Sequence, residues 1–276
     1  MVLGIALKSA LFPFHAWLPD AHGSATTSSS AVLSGLVLKG YIVLLIKVCY
    51  RVFTLDIISS FHVGNLLFFF GVSAMIVGSV LAIREGHIKR MIAYSSVAQI
   101  GYIYMGIGLC SDAGMVAACF HILAHAFTKP MLFVCAGGLI DEAHHNKQIY
   151  YLKGTAYKNR LAGIGFTIGA LSMIGIPLFA GFVSKLYFAT ASMFTGPRMV
   201  ITMLVLAISS VLNALYYIPA VIAIWTPSVS EDTLDTTEEK ESEGIRGPGV
   251  AFVVSSLVFI VANFVLGIFY QPIIEI

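Results

Sequence analysis

The chain has 276 residues, of which 58% are hydrophobic and 11% are charged, and its mean hydropathy is +0.89. This composition is typical of a helical membrane protein with several spans and excludes an ordinary soluble domain. The net charge is only +2, and seven of the fourteen acidic residues lie between Glu231 and Glu243. The positions of the remaining charges are therefore more informative about function than the net charge. They do not indicate a nucleic-acid-binding surface.

The N-terminal apolar stretch, residues 1–11, contains Lys8 and is too short to cross a membrane alone. Eleven helical residues span about 17 Å, whereas the hydrocarbon core is about 30 Å thick. We expect Pro13 to end this helix and an interfacial turn to follow. Residues 1–22 are thus predicted as a partial broken helix with its turn, to be completed by a preceding segment or by another chain.

The next spans are predicted at 30–50, 63–83, 91–110 and 113–140, after a polar loop at 23–29. Lys39 lies near the middle of the first. In the last, His121, His125 and Lys129 recur every four residues, so they line one face of the helix. Pro130 is expected to kink or widen the turn beside Lys129 and to let water reach it.

The stretch 160–193 is too long for one simple span, and glycines and a proline interrupt its centre. Pro177 and Gly181 mark this interruption, and Lys185 lies just beyond it. Breaks at mid-depth occur where unwound backbone lines a cavity instead of lipid, so we predict a second broken helix. A further span is expected at 200–225.

The whole chain is predicted to be one all-α transmembrane domain of about eight spans, two of them broken at Pro13 and Pro177. Core helices would occupy residues 30–226, an acidic linker 227–248, and the last helix 249–272.

Basic residues are the candidates for function because they interrupt apolar stretches, where a charge costs about 3 kcal/mol at the bilayer centre. Such groups usually face a bundle interior, a water file or one another. No acidic residue lies in the middle of an apolar stretch, so an ion path would use amines and imidazoles. The candidate proton-relay residues are Lys8, Lys39, His121, His125, Lys129 and Lys185.

Six blocks of sequence resemble, in order, the antiporter-like, proton-conducting subunits of respiratory complex I, multisubunit Na⁺/H⁺ antiporters and membrane-bound hydrogenases. The matching blocks are 8–10 with 13–21, 34–39, 88–96, 99–102, 121–129, and 175–177 with 181, 182 and 185. The resemblance implies that the chain is the second half of a fourteen-helix antiporter-like fold.

The resemblance also assigns roles. Lys8 corresponds to the proton-accepting lysine of the first broken helix, and Lys39 to the relay lysine of the next helix. His121 and His125 correspond to the bridging histidines, and Lys185 to the lysine that exchanges protons with the outside. The implied function is translocation of protons, or exchange of Na⁺ for H⁺, as one membrane subunit of a redox-driven or antiporter complex.

Departures from the family pattern leave alternatives open. The family's first half, with a buried glutamate that pairs with the position of Lys8, would have to come from another chain. Lys129 is an additional relay or a structural partner. The chain could also be a non-conducting scaffold, with its lysines as structural contacts.

Metal and haem sites are disfavoured. His121 and His125 have zinc spacing, but Ile122 stands where a zinc protease needs its glutamate, and no third ligand is evident. Haem would need a histidine on a second deep helix, and none is expected. We also find no C-x-x-C spacing or nucleotide-binding loop, so no cofactor is expected in this chain.

Positive charges are sorted by side, which predicts the orientation in the cell's plasma (inner) membrane. The predicted cytoplasmic set is Arg84, Lys89, Arg90, Lys147, Lys153, Lys158, Arg160, Lys240 and Arg246. The acidic linker would then be cytoplasmic, and the C-terminal Ile276 would lie outside.

Overall fold

A computed structural model of the chain describes residues 1–53, 61–227 and 249–271. These residues form a bundle of helices, and no β-strand occurs among them; one isolated antiparallel bridge joins His87 to Gln148. The all-α fold predicted from the sequence is confirmed. The acidic linker, apart from Pro227, and the C-terminal Ile276 lie outside the described residues.

The helices, in chain order, are α1 (Val2–Lys8), α2 (Trp17–Ser24), α3 (Thr27–Phe53), α4 (Val63–Ile83), α5 (Ile88–Gly108), α6 (Asp112–Glu142), α7 (Arg160–Ile174), α8 (Ala180–Ser192), α9 (Pro197–Trp225) and α10 (Val250–Ile268). Five of them, α3, α4, α6, α9 and α10, are long and apolar enough to cross a membrane. The chain is therefore a multi-pass membrane protein.

The two predicted helix breaks are confirmed. The chain between α1 and α2 contains a cis peptide bond between Phe12 and Pro13. α7 ends at Gly175, whose φ of +94° suits a residue without a side chain, and α8 begins five residues later. A side chain at Gly181 would lie 1.8 Å from the carbonyl oxygen of Ser172, so only glycine lets the two half-helices pack this closely.

The polar stretch 23–29 is not the loop predicted from its composition. α2 continues to Ser24, whose hydroxyl donates to the carbonyl of Asp20 at 2.9 Å. α3 begins at Thr27, and Thr26 caps it by accepting the backbone N–H of Ser29 at 3.3 Å. Serine and threonine satisfy the unpaired backbone groups of helix ends, so this composition also suits two abutting helices.

α6 runs through Pro130 without interruption, and Lys129 beside it is fully buried, contrary to the expected access of water to that turn. Pro130 packs against Gly35 of α3, where an added Cβ would lie 2.4 Å from the proline Cγ. α3 and α6 therefore pack closely at this proline.

α4 and α5 approach each other closely through glycines. A Cβ at Gly71 would lie 2.5 Å from the backbone nitrogen of Met105, and one at Gly101 would lie 2.5 Å from the carbonyl oxygen of Gly71. Because the obstructing atoms are backbone, a side chain here would force the helices apart. This pair places α5, which carries much of the site described below, against the rest of the bundle.

Gly71→Ala should destabilise the protein by about 1–3 kcal/mol, the usual cost of overpacking a tight contact. The measurement is thermal unfolding of the purified chain in detergent. Gly40→Ala, in α3 with no atom within 4 Å of the added Cβ, is the matched control. An equal effect of the two substitutions would contradict the close-packing account.

His87 lies just outside α5 and caps it: its Nδ1 accepts the backbone N–H of Arg90 at 3.4 Å. Burial, and next the charge of Lys147, lower the pKa of His87 from its usual 6.5. The unfolded chain therefore takes up this proton at a higher pH than the folded protein does. The stability contributed by neutral His87 is present above pH 6.5 and is lost as the pH falls toward the lowered value.

His87→Asn should make unfolding less sensitive to acid, because asparagine keeps a capping oxygen and does not titrate. We expect the midpoint of thermal unfolding to fall less for this variant than for the wild type between about pH 8 and about pH 5. His144→Asn, at an exposed position, serves as the control. If wild type and His87→Asn lose stability in parallel, His87 does not contribute the acid sensitivity.

Candidate functional site

Four of the predicted relay residues are buried together in the bundle interior. Lys39 is 4% exposed, His121 is 1% exposed, and His125 and Lys129 have no exposed surface. Lys185 is partly buried, whereas Lys8 is exposed. Among the described residues, no aspartate or glutamate is buried with them. The interior polar groups that hold these bases are therefore carbonyls, hydroxyls and amides.

Lys39 is held by a carbonyl of its own helix. Its Nζ donates to the backbone oxygen of Ser34, which lies in the π-helical turn Leu33–Val37 of α3. π-turns interrupt regular backbone pairing, and they frequently occur at functional positions. The Ser34 hydroxyl is also 3.1 Å from that of Ser96 on α5. Lys39 is thereby connected to the central helices.

Lys129 lies at a junction between α5, α6 and α9. Its Nζ donates to the carbonyl of Ile92 at 2.9 Å, to the Ser95 hydroxyl, and to the Tyr217 hydroxyl at 3.3 Å. The Ile92 carbonyl also accepts the hydroxyl of Ser96 at 3.1 Å. Lys39 and Lys129 are therefore held in one polar cluster, in which Ser34 offers its carbonyl to Lys39 and its hydroxyl to Ser96, although no sequence spacing suggests this connection.

The two histidines of α6 extend the line of bases toward α8. Their rings are nearly parallel, with centroids 5.9 Å apart. His121 Nδ1 is 2.9 Å from the hydroxyl of Ser184, the residue before Lys185. Within the described residues, His121 Nε2 and both nitrogens of His125 have no hydrogen-bond partner. These nitrogens are the candidate positions for a transferred proton on α6.

Lys185 occupies the open end of the broken helix. Its Nζ donates to the carbonyls of Met173 at 3.2 Å and Ile174 at 2.5 Å, and to the Ser210 hydroxyl at 2.9 Å. These carbonyls are unpaired because α7 stops here, and a cation is favourable at a helix C-terminus. The ring of Tyr102 lies between Lys185 and His121, with distances of 5.6 Å to Nζ and 5.3 Å to the imidazole.

Lys8 is not brought to this cluster. It is the last residue of α1, its side chain is exposed, and it has no hydrogen-bond or ion-pair partner in the described part of the chain. No hydrogen bond among the described residues joins Lys8 to Lys39.

His22 is a buried histidine that sequence reasoning missed. It has no exposed surface, its ring stacks on Phe133 at 4.5 Å, and it interacts electrostatically with Lys129, Lys89 and Lys39. Neither ring nitrogen has a partner among the described residues. His22 lies on the short helix α2, which is not one of the membrane-crossing helices, so the expectation that no second deep helix carries a histidine is unaffected. The available signal was its position directly after the matching block 13–21.

One known protein family matches most of this chain. The family model described as NADH:quinone oxidoreductase/Mrp antiporter, transmembrane, matches residues 1–213. The chain belongs to this family. The resemblance found in the six sequence blocks is therefore confirmed.

Two relatives within the NADH:quinone oxidoreductase/Mrp antiporter family have 34% identity to the chain. NADH-quinone oxidoreductase subunit N of Desulforudis audaxviator (strain MP104C) aligns over 225 residues, 79% of this chain and 42% of the relative. NADH-quinone oxidoreductase subunit M of Rickettsia conorii (strain ATCC VR-613 / Malish 7) aligns over 187 residues, 66% of this chain and 36% of the relative. The chain thus spans less than half the length of these relatives.

Solved structures share the fold across 99% of this chain. The Mrp complex from Dietzia sp. DQ12-45-1b gives a TM-score of 0.83 at 24% identity and is covered over 56% of its matching chain. The archaeal membrane-bound sulfane sulfur reductase gives 0.80 at 26% identity and 53% coverage. Respiratory complex I from Thermus thermophilus gives 0.74 at 22% identity and 57% coverage. The all-α antiporter-like fold is therefore shown.

Ser184→Ala should lower the stability by about 1–3 kcal/mol, because it leaves a buried nitrogen of His121 without its partner. Thermal unfolding in detergent measures the effect. Ser192→Ala is the control on the same helix, since that hydroxyl bonds only a carbonyl of its own helix, at 2.8 Å from Ala189. A loss no larger than that of the control would show that the contact with His121 contributes little.

Proposed function

We propose that this chain conducts protons through the membrane as one subunit of a multisubunit complex. The observation that supports this proposal is the line of buried basic groups from Lys39 through Lys129, His125 and His121 to Lys185. Basic groups in hydrocarbon are expensive, and this line has no buried carboxylate among the described residues. A purely structural bundle gains nothing from such a set.

The proposed route uses groups that both accept and release protons. A proton on Lys39 passes through interior water, beside the Ser34 and Ser96 hydroxyls, to the region of Lys129 and His125. It continues along the two parallel imidazoles and passes from His121 to Lys185. A neutral imidazole has a proton donor on one nitrogen and an acceptor on the other, so the pair suits the middle of the path. The carbonyls at the helix break hold the cationic form of Lys185, so this lysine suits the end of the path, where the proton leaves.

The energy must come from partner subunits. Moving one charge against 100 mV requires about 2.3 kcal/mol. The relatives named above are subunits of an NADH-quinone oxidoreductase, and the structural neighbours belong to an Mrp complex, a sulfane sulfur reductase and complex I. We propose that this chain is coupled to other membrane subunits in the same way, with a redox reaction or an opposing Na⁺ gradient as the drive.

A further part of the proposal concerns Lys8. Its exposure on α1 in a membrane requires a neighbour that compensates the charge. A segment carrying a carboxylate, corresponding to the first half of the family's fourteen-helix fold, would supply it. This assignment is supported by the lengths of the structural neighbours, since the present chain covers only 56% and 53% of two of the matching chains.

We also propose an orientation. Helix ends rich in lysine and arginine meet on one side, where Lys89 donates to the carbonyl of Ala25 and Lys147 donates to that of Gly23 at 3.3 Å. By the positive-inside rule this side faces the cytoplasm, in a plasma membrane.

The test is proton movement in membrane vesicles that contain the assembled complex, comparing wild type with Lys39→Ala and His125→Ala. We expect each substitution to reduce translocation at least about tenfold, because it removes a required carrier. Lys47→Ala, on the exposed end of α3, is the matched control and should leave translocation unchanged. Assembly is checked by native electrophoresis.

The scaffold alternative predicts the opposite result. If both variants assemble and translocate protons at the wild-type rate, the interior bases are structural and the proposed function is wrong.

A further inference from the structure

α9 presents a polar side to the bundle interior that the route through the histidines does not use. Ser210, Asn213, Tyr216 and Tyr217 recur at steps of three and one, so they lie on one side of the helix. Asn213 and Tyr217 have no exposed surface, and Tyr216 is 4% exposed. We refer to these four residues as the α9 polar face.

Asn213 shares a carbonyl with Lys185. Its Nδ2 donates to the oxygen of Met173 at 3.0 Å, and the same oxygen accepts the ammonium of Lys185 at 3.2 Å. Asn213 Oδ1 in turn accepts the hydroxyl of Tyr216 at 2.6 Å and that of Ser79 at 3.4 Å. The amide is therefore fixed in orientation by bonds on both of its ends.

The other end of the α9 polar face reaches Lys129. Tyr217 accepts from Lys129 and lies 2.7 Å from the Ser95 hydroxyl. Tyr216 is packed beside Tyr217 with ring centroids 4.6 Å apart, and it also interacts with Ser95. The α9 polar face thus contacts Lys129 at Tyr217 and the acceptor carbonyl of Lys185 at Asn213, with the two tyrosine rings packed between these contacts.

We propose that Asn213, oriented by Tyr216, is a positioning residue for Lys185 that acts through the shared Met173 carbonyl. This proposal rests on the proposed proton conduction. It identifies Asn213 as a residue that regulates the release of the proton from Lys185. A carbonyl oxygen with two donors divides its acceptor capacity between them. Asn213 therefore weakens the hold of Met173 on the ammonium and eases release of its proton.

Few other groups influence this release. Facing Lys185 are the titratable Tyr102 on α5 and His121 on α6. α7 contributes the Met173 and Ile174 carbonyls, and α9 contributes Ser210 with Asn213 and Tyr216. α10 carries no charged residue. An altered pH dependence after a change on α9 would therefore report on the shared carbonyl.

The experiment measures the pH dependence of proton translocation in vesicles containing the assembled complex. In Asn213→Leu the Met173 carbonyl accepts a hydrogen bond from Lys185 alone and holds the ammonium more strongly. The ammonium should therefore release its proton at a higher pH. We expect the half-maximal point to move up by about one pH unit, and translocation at neutral pH to fall severalfold. Tyr216→Phe keeps the ring and removes only the hydrogen bond that orients the Asn213 amide. It should raise the half-maximal pH as well, by a smaller amount.

Thr202→Val is the matched control, since this buried hydroxyl of α9 has no partner in the described part of the chain. Its pH profile should equal that of the wild type. Tyr216→Phe keeps the test valid if Asn213→Leu does not assemble. The inference is overturned if Tyr216→Phe and every assembled Asn213→Leu sample match the control.

Lys185→Ala separates this inference from the proposed function. If Lys185→Ala abolishes translocation while the α9 variants match the control, conduction stands and the positioning role is wrong. If Lys185→Ala leaves translocation intact, both are overturned.

Discussion

The structure depends on how buried ammonium groups are solvated without carboxylates. An unpaired cation in hydrocarbon is costly, and water is the usual remedy. Here backbone carbonyls accept hydrogen bonds from the lysines: Ser34 from Lys39, Ile92 from Lys129, and Met173 with Ile174 from Lys185. A carbonyl holds an amine or an ammonium without forming an ion pair. The lysines are thus held in the bundle by uncharged acceptors.

Irregularities in the helices make the carbonyl acceptors of Lys39 and Lys185 available. A regular helix pairs its carbonyls internally, so an acceptor appears where the pairing is disturbed. Lys39 uses the π-turn Leu33–Val37, and Lys185 uses the end of α7 created by Gly175. Glycines then bring the irregular segments close, as where Gly181 lies against Ser172. In this protein, the irregular backbone segments therefore determine where Lys39 and Lys185 find their acceptors.

The basic residues and the helix breaks were predictable because their signals are local. A lysine inside an apolar stretch, a four-residue recurrence of His121 and His125, and a proline between glycines each act within a few residues. The groups connecting the bases were not predictable. Ser96 meets Ser34 across 62 positions, and Tyr217 meets Ser95 across 122. Such pairs depend on which helices become neighbours, and serine or tyrosine in a span has many possible partners.

By itself the sequence determined the membrane class, the period of the polar face of α6 and the positions of both breaks, since these follow from hydropathy and backbone chemistry. Only the tertiary structure decided which bases meet. It turns Lys8 outward, buries His22 against Phe133, and packs α3 against α6 through Gly35 and Pro130. Burial is a property of the packed bundle, because a helix's interior side is defined only by the neighbours that cover it.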